Sequence, residues 1–248
     1  MLSNLLFGAD IDYTSASRRH GVLLRIHLYL VFILLTASCQ SIVERLGTGD
    51  GPSVGFTYLD LVYSDQFDGP GNWMSYDGGD SLKMAVEDGG YKIWLATRQY
   101  VWAQLPYTFD DVVVEAEVRQ LSDFNHNAYG IACRLDPANS GRGYYFLIGG
   151  DGYYSIRWSN GRSLDEIVGA KPSGVINRGS STNQIKAICV GDYLALWIND
   201  HFVAEARDSR ASAGAVGLSA VMNYTGKTVE VTFAALKIWR SELYEPGR

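Results

Sequence analysis

Two glutamates separated by a single residue, Glu115 and Glu117, come nearest in this chain to a pair of catalytic acids. They lie in the apolar run 111–118, and in a strand the side chains two residues apart point to the same face. Hydrolysis of a glycosidic bond needs two carboxyl groups that flank it, about 5–5.5 Å apart where the configuration is retained. The same alternation is typical of a solvated strand face, and this is the interpretation that we favour.

Aromatic and arginine side chains form a second group that could contact a ligand. Sugar rings present C–H faces that stack on flat side chains, and a guanidinium offers paired donors to hydroxyl or carboxylate groups. Alternation in the run 129–134 turns Ile131 and Cys133 inward and Arg134 to the opposite, concave side. We predict one shallow groove lined by Arg134, Tyr145, Arg157, Trp102 and Trp197, with Arg134 as the best single candidate. The alternative for each ring is the core, because aromatic side chains bury well.

Patterns for metal or phosphate binding are weak. The two histidines beyond residue 39, His126 and His201, do not have the spacing of paired metal ligands. The segment Gly149-Gly150-Asp151-Gly152 is Gly-rich, but a strand follows it and no helix N-terminus is available for an anion. We therefore interpret it as a hairpin turn and predict no metal site.

Short runs of alternating apolar residues recur from about Phe56 onward, separated by Gly, Asn or Asp turns. The expected strands are 91–95, 111–118, 128–135, 144–148, 153–158, 183–190, 193–198, 201–206, 214–222 and 228–239. No window in this region has the 3.6-residue apolar period of a helix. Many short strands with regular turns indicate an all-β protein, an antiparallel β-sandwich of the jelly-roll kind.

The order of several motifs resembles the concanavalin A-like lectin/glucanase superfamily. Within it, residues 56–240 are most similar to the 3-keto-disaccharide hydrolase-type domain of bacterial exported proteins. The motifs are Asp65-Gln66-Phe67-Asp68, Gly71-Asn72-Trp73, Tyr129–Arg134, Gly143–Phe146, Asn183–Lys186, Leu196–Asp200, Gly214–Leu218 and a closing strand with Phe233. The chain departs from the family at Asn199-Asp200, where Asn-Gly is usual, and at Gln120, where the superfamily's Glu-x-Asp-x-x-Glu motif ends in Glu.

The resemblance implies a jelly-roll fold and contact with carbohydrate. An enzyme of this kind would need an acid and a base, from Glu115, Glu117, Asp136 or Asp151. Jelly rolls of this class often hold calcium near loops that carry Asp. The candidates are Asp65, Asp68, Asp77, Asp80 and Asp151, although none forms the dense ligand pattern of a calcium loop. We predict no cofactor, with a structural calcium ion as the alternative.

The N-terminal region has the pattern of a secretion signal. Three arginines precede an apolar run that is shorter than the about 20 residues of a spanning helix. Leu35-Thr36-Ala37-Ser38-Cys39 then resembles the lipobox of bacterial lipoproteins, with Thr36 where Leu is most common. The resemblance implies cleavage before Cys39 and attachment of lipid, including palmitate, to that residue. An ordinary signal peptide is the alternative.

We divide the chain into a signal peptide (1–38), a lipidated Cys39 with a polar tether (39–55), a β-domain (56–240) and a tail (241–248). Asp10 and Asp12 are unusual ahead of a basic region and favour a translation start nearer Arg18. Cleavage before Cys39 removes three of 21 basic and two of 27 acidic residues, so 18 positive and 25 negative charges remain, a net of −7. This acidic balance argues against nucleic acid as a partner. Membrane contact would come from acyl chains.

Cys133 and Cys189 both fall in expected strands. An oxidising compartment would allow them to pair. Because cysteine is also among the most often buried residue types, two separate buried thiols are the interpretation that we favour.

The leading hypothesis is a membrane-anchored cell-envelope lipoprotein with a lectin-like domain that binds carbohydrate or a related extracellular ligand without catalysis. One alternative is a glycoside hydrolase that uses carboxylates on the concave sheet. Another is a structural module that presents loops to a protein partner. The sequence does not indicate an oligomeric state.

Overall fold

The computed structural model describes residues 51–244, which form fifteen β-strands and no helix. The strands are β1 (Gly55–Asp65), β2 (Tyr76–Asp77), β3 (Leu82–Glu87), β4 (Gly90–Leu95), β5 (Gln99–Gln104), β6 (Val112–Gln120), β7 (Ala128–Leu135), β8 (Gly143–Ile148), β9 (Tyr153–Ser159), β10 (Leu164–Pro172), β11 (Thr182–Val190), β12 (Tyr193–Ile198), β13 (His201–Arg207), β14 (Ala215–Met222) and β15 (Val229–Tyr244). Accordingly, this part of the chain has no helix that could span a membrane. The predicted all-β class is confirmed.

The strands pair into two antiparallel sheets. The large sheet has the order β13-β12-β11-β6-β15-β4-β3-β2, with β1 also paired to β15. The small sheet has the order β10-β9-β8-β7-β14-β5. β15 is long enough to pair with β4 through residues 229–233 and with β1 through residues 236–244, while β6 occupies its other edge. The result is the expected two-layer jelly-roll sandwich.

Alternation along the strands builds the core between the two sheets. In β7, Tyr129, Ile131 and Cys133 are fully buried against the large sheet, and in β11 the inward residues include Ile185 and Ala187. Removing such apolar side chains from water contributes about 25 cal/mol per Å² buried. The intervening residues of each strand therefore form the outer faces of the sheets.

A disulfide between Cys133 on β7 and Cys189 on β11 joins the two sheets through the core. Both cysteines are fully buried. Our preference for two separate thiols was therefore wrong. The physical reason is tertiary, because β7 and β11 lie in different sheets and only the stacking of those sheets brings the sulfur atoms together.

The predicted turns have the expected backbone. Asn199 and Asp200 connect β12 to β13 with φ of 50° and 63°, the left-handed pair of a two-residue hairpin loop. Asp therefore performs here the role that Gly has in the related motif. Gly149–Gly152 connects β8 to β9, and Gly152 has a φ of 88°. This segment is a hairpin turn, as the sequence indicates.

The boundaries of the domain differ slightly from the predicted ones. Residues 241–244, expected in a tail, continue β15 beside β1. At the other end, Ser53 donates its backbone N–H to Glu205, and Val54 packs against a buried cluster that includes Val190 and Tyr193, so these residues of the expected tether contact the domain. β1, β2, β3, β5 and β10 were not among the expected strands. The predicted signal peptide, Cys39 and residues 40–50 lie outside the described residues.

We expect the inter-sheet disulfide to stabilise the domain measurably. Replacing both cysteines by alanine (Cys133→Ala, Cys189→Ala) should lower the free energy of unfolding by about 2–4 kcal/mol, because the unfolded chain is no longer cross-linked over a separation of 56 residues. Urea unfolding with and without dithiothreitol measures this. Reductant should lower the midpoint of the natural protein and leave that of the double variant unchanged. Equal stabilities without reductant would contradict the prediction.

Candidate functional site

The outer face of the small sheet, here called the aromatic face, carries Trp102, Tyr145 and Arg157 of the predicted groove. Tyr100 on β5 and Ser159 on β9 lie on the same face, and their hydroxyl oxygens are 3.0 Å apart. Three strands separate β5 from β9. In a flat sheet, four strand spacings of about 4.8 Å would place these residues about 19 Å apart. The small sheet is therefore strongly curved, with this face concave.

The concavity of the aromatic face is largely filled. Tyr145 is fully buried, and its hydroxyl donates to the carbonyl of Gly141 at 2.9 Å. The indole N–H of Trp102 donates to the side chain of Asn139 at 2.7 Å. Gly141 has a φ of 75°, and a Cβ there would lie 2.6 Å from the Trp102 ring. The loop 136–142 is thus fixed over the face, and the polar edges of these rings are used within the protein.

Arg134 does not belong to the aromatic face, so its expected position was wrong. In the pairing of β7 with β14, Ala215 lies opposite Leu135 and Gly217 lies opposite Ala132, which leaves two β7 residues facing one residue of β14. Arg134 lies in this β-bulge and has a φ of 51°. An extra residue in a strand interrupts the two-residue alternation. The side chain that alternation places on the concave side therefore points elsewhere.

The guanidinium of Arg134 holds one end of the sandwich together. Its side chain is only 1% exposed, and it donates to the carbonyls of Gly191 at 2.6 Å and Ala211 at 2.9 Å. It also pairs with Asp111 at 3.1 Å. Burial lowers the pKa of Arg134 from its ordinary value, and the Asp111 carboxylate opposes this shift. Because arginine stays charged in proteins, the guanidinium remains a donor to all three partners. We call this set of bonds, which links β7 to the loops at Gly191 and Ala211, the clamp.

The five residues of the predicted groove therefore do not share one surface. Arg157 lies on the aromatic face and pairs with Glu166 at 3.1 Å. Trp197 lies on β12, in the large sheet. Alternation assigns a side chain to one of two faces of a strand, but it does not tell which sheet the strand joins.

The outer face of the large sheet contains a pocket of about 250 Å³, here called the carboxylate pocket. It brings Trp197 together with Glu115 and Glu117, the predicted acid pair. The other residues of its wall are Ala116, Gln184, Ile185, Lys186, Asp200, Ala235 and Lys237. Strand register accounts for the grouping, since Trp197 lies opposite Lys186, Lys186 opposite Glu115, and Glu115 opposite Lys237. The acids lie on the large sheet and not on the concave face of the small sheet, where the hydrolase hypothesis placed them.

Glu115 is engaged by neighbouring donors. Lys186 approaches its Oε1 at 3.3 Å, and the Tyr58 hydroxyl donates to the same oxygen at 2.5 Å. Burial, together with the hydrogen bond to Glu115, raises the pKa of Tyr58 well above its ordinary value, so the phenol stays protonated and remains a donor. A glycosidase acid must instead keep a proton for the leaving group. In this structure Oε1 of Glu115 instead accepts the Tyr58 hydrogen bond beside Lys186, so it is engaged within the protein.

The remaining polar side chains of the pocket are accessible. Glu117, Gln184 and Lys237 are exposed. Neither Glu117 nor Lys237 makes an ion pair within residues 51–244, whereas Lys186 contacts both Glu115 and Asp200. The half-buried Trp197 ring is held by the rings of Phe56 at 5.3 Å and Phe202 at 5.1 Å between centroids. The pocket therefore combines a fixed ring with uncommitted donors and acceptors.

A second pocket, of about 350 Å³, lies at the loop end beside Arg134. Its wall is formed by Asp110, Asp111, Gly191, Asp192, Ser209, Ala211 and Ser212. Asp111 bonds to Arg134 and to the backbone N–H of Gly191, and Asp192 pairs with Arg207. With no ring in its wall and these carboxylates engaged, this pocket offers less to a sugar than the carboxylate pocket does.

Other predicted residues lie outside both pockets. The Nδ1 of His126 is 3.1 Å from Asp151, and the Nδ1 of His201 is 2.6 Å from the carbonyl oxygen of Asn199. Asp136 accepts a hydrogen bond from Ser140 in the loop over the aromatic face. No group of three or more His, Cys, Asp or Glu side chains in residues 51–244 is arranged to hold a metal ion.

Among the calcium candidates, Asp65 has a defined structural role. It accepts hydrogen bonds from the Tyr63 hydroxyl, the Phe67 backbone and the Trp73 indole. Burial and the bond to Asp65 raise the pKa of Tyr63 to about 12. Asp65 thus fixes the end of β1 against the segment that follows it.

Several solved structures with the same architecture are named as proteins that bind or cleave carbohydrates. The carbohydrate-binding module CBM66 from Bacillus subtilis matches with a TM-score of 0.53 and 18% identity, over 69% of this chain and 95% of its own. The Bacillus licheniformis beta-glucanase matches with a TM-score of 0.55 and 9% identity, over 72% and 97%. LamA from Z. galactanivorans, in complex with laminaritriose and laminaritetraose, matches with a TM-score of 0.50 and 14% identity, over 74% and 100%.

These likenesses establish the fold: the chain has the jelly-roll β-sandwich that its strand pattern indicated. At such low identities they establish nothing about ligand or activity. The sequence itself matches no protein-family model. It matches no curated protein either.

We expect Arg134 to be required for stability. Arg134→Ala should lower the free energy of unfolding by about 3–5 kcal/mol, because it leaves Asp111 and two carbonyls without their buried partner. The matched control is Arg157→Ala, which breaks a solvent-accessible pair and should cost only about 0–1 kcal/mol. Urea unfolding measures both. Equal losses in the two variants would argue against the clamp.

Proposed function

We propose that the protein is a cell-envelope lipoprotein whose jelly-roll domain binds a carbohydrate in the carboxylate pocket without cleaving it. The observation that carries this proposal is the grouping of Trp197 with the exposed side chains of Glu117, Gln184 and Lys237 in one cavity. An indole ring stacks on the C–H face of a sugar, while carboxylate, amide and ammonium groups bind its hydroxyls. A few placed polar groups around an apolar contact are typical of small-ligand sites.

The size of the pocket suits a small part of a glycan. Its volume of about 250 Å³ lies just below the about 300–1,000 Å³ of pockets that enclose a drug-sized ligand. We therefore expect one sugar unit to enter it, with the rest of the glycan outside. Structural neighbours that are named as a carbohydrate-binding module and a glucanase support a carbohydrate ligand.

The state of Glu115 supports binding over hydrolysis. Of the predicted acid pair in the pocket, Glu115 is already bonded to Tyr58 and Lys186. Two residues along a strand correspond to about 6.8 Å, more than the about 5–5.5 Å of retaining enzymes. An enzyme built on this pair would therefore invert configuration, which spacings of about 6.5–9.5 Å allow. Release of reducing sugar that Glu117→Gln abolishes would replace our proposal by this hydrolase.

The disulfide supports export. Disulfides persist in oxidising compartments outside the cytoplasm, and Cys133–Cys189 is a buried pair of this kind. Together with the lipobox-like segment that ends at Cys39, this favours a mature domain on the outer side of a membrane.

We expect the tryptophan of the carboxylate pocket to determine ligand binding. Trp197→Ala should weaken binding to a glycan found on an array by about 30-fold or more, since a central aromatic contact is worth about 2 kcal/mol or more. The matched control, Trp102→Ala on the aromatic face, should keep the affinity of the natural protein. Calorimetry measures the affinity, and circular dichroism checks the fold of each variant. Loss of binding in Trp102→Ala alone would move the site to the aromatic face.

Membrane attachment should depend on Cys39. Cys39→Ala should shift the protein from the detergent phase to the aqueous phase in a detergent-partition assay, because no acyl chain can be attached. Mass spectrometry of the purified natural protein should show a lipidated N-terminal Cys39. An unmodified Cys39 in the detergent phase would contradict the lipoprotein assignment and leave carbohydrate binding intact.

A further inference from the structure

A second tryptophan, Trp94, lies on the same outer face of the large sheet as the carboxylate pocket. In β4, Tyr91, Ile93 and Leu95 are fully buried in the core, so alternation turns Trp94 outward, where it is half-buried. It pairs with Glu230 on β15 and with Lys83 on β3. A large ring at an outward position of a sheet is available to a partner that lies along that face.

Trp94 and Trp197 lie far apart on this face. Trp197 is on β12 and Trp94 on β4, four strand spacings apart. Across the strands, the residues that lie opposite one another from Trp197 onward end at Lys237 on β15. Trp94 lies opposite Glu230, which is seven positions earlier on the same strand. Strand spacing and rise per residue place the two rings roughly 25 Å apart over the sheet surface. That span exceeds the pocket and corresponds to a chain of several sugar units.

The surface between the two rings is lined by side chains that bind hydroxyl groups. Successive rows carry Glu117 with Gln184, then Arg119 with Thr232, and then Glu230. We call these five residues the polar track. Glu117, Gln184 and Arg119 are exposed, whereas Thr232 and Glu230 are half-buried, so the track is most accessible at its end near the pocket.

The charges of the polar track alternate in sign. Glu117 is followed by Arg119 and then by Glu230 along the line from the pocket to Trp94. A polyanion would meet the two carboxylates, and a polycation would meet the guanidinium. Each would therefore be repelled by groups of its own charge. A neutral chain of hydroxyl-bearing units can bond to the same donors and acceptors without this repulsion.

We propose that the polar track binds an extended neutral glycan, with one sugar in the carboxylate pocket against Trp197 and a distant unit stacked on Trp94. This inference rests on the proposed function and specifies its ligand as a chain and not a terminal sugar alone. It assigns Trp94 a binding role that the pocket itself does not require.

Affinity as a function of chain length tests the proposal. The full-length protein in detergent would be titrated by calorimetry with laminari-, cello- and malto-oligosaccharides, from disaccharide to hexasaccharide. In at least one series the hexasaccharide should bind about tenfold tighter than the disaccharide. Trp94→Ala should abolish this gain and leave disaccharide affinity unchanged, whereas Trp197→Ala should weaken binding at both lengths.

A second variant keeps the test independent of the packing of Trp94. Arg119→Ala, at an exposed position, should also reduce hexasaccharide affinity selectively, while the control Arg162→Ala in an exposed turn of the small sheet should not. Affinity that does not depend on chain length, or a Trp94→Ala variant that retains the full gain, would contradict binding along the polar track. The proposed binding in the carboxylate pocket would not be affected by that result. Preference for an acidic polymer or a protein on this face would overturn the neutral-glycan assignment. Failure of every array glycan to bind would remove the proposed function itself.

Discussion

Every strand of the sandwich must give one of its faces to the space between the sheets, and this constraint decides which side chains remain for binding. The buried faces carry Ile131, Cys133 and Ile185 together with rings such as those of Phe146 and Phe233. What is left is two outer faces with different characters. Because the core uses alternate residues of one strand, the acids of β6 and the ring of β12 reach the surface in adjacent rows of the large sheet.

The two outer faces differ in how many of their polar groups are already hydrogen-bonded within the protein. The concave face of the small sheet holds rings whose polar edges are satisfied by Asn139, Gly141 and Ser159, so its surface is part of the folded structure. The large sheet keeps polar side chains that make few bonds within the described chain, next to one fixed ring. A ligand gains most where protein groups have not already found partners. For this reason the outer face of the large sheet is the better candidate, although shape alone would favour the concave face of the small sheet.

Local pattern was enough to predict most of the fold. β7 and β12 begin and end where alternation and turn residues placed them, and the left-handed pair Asn199-Asp200 follows from its position between two apolar runs. The acid pair and Trp197 were also recognised as candidates. What sequence did not reveal is which strands share a sheet, so Trp197 was grouped with rings of the other face. The bulge at Arg134 and the pairing of Cys133 with Cys189 depend on contacts between distant segments, and no local signal marks them.

The path of β1 links the start of the domain to the wall of the carboxylate pocket. Ser53 bonds to Glu205, Phe56 packs on Trp197, and Tyr58 bonds to Glu115. Any mechanical load that reaches the domain through residue 51 therefore acts first on side chains that shape the pocket. Tension on the chain would act on these contacts before it disturbs the core, so the shape of the pocket depends on how this end of the domain is held.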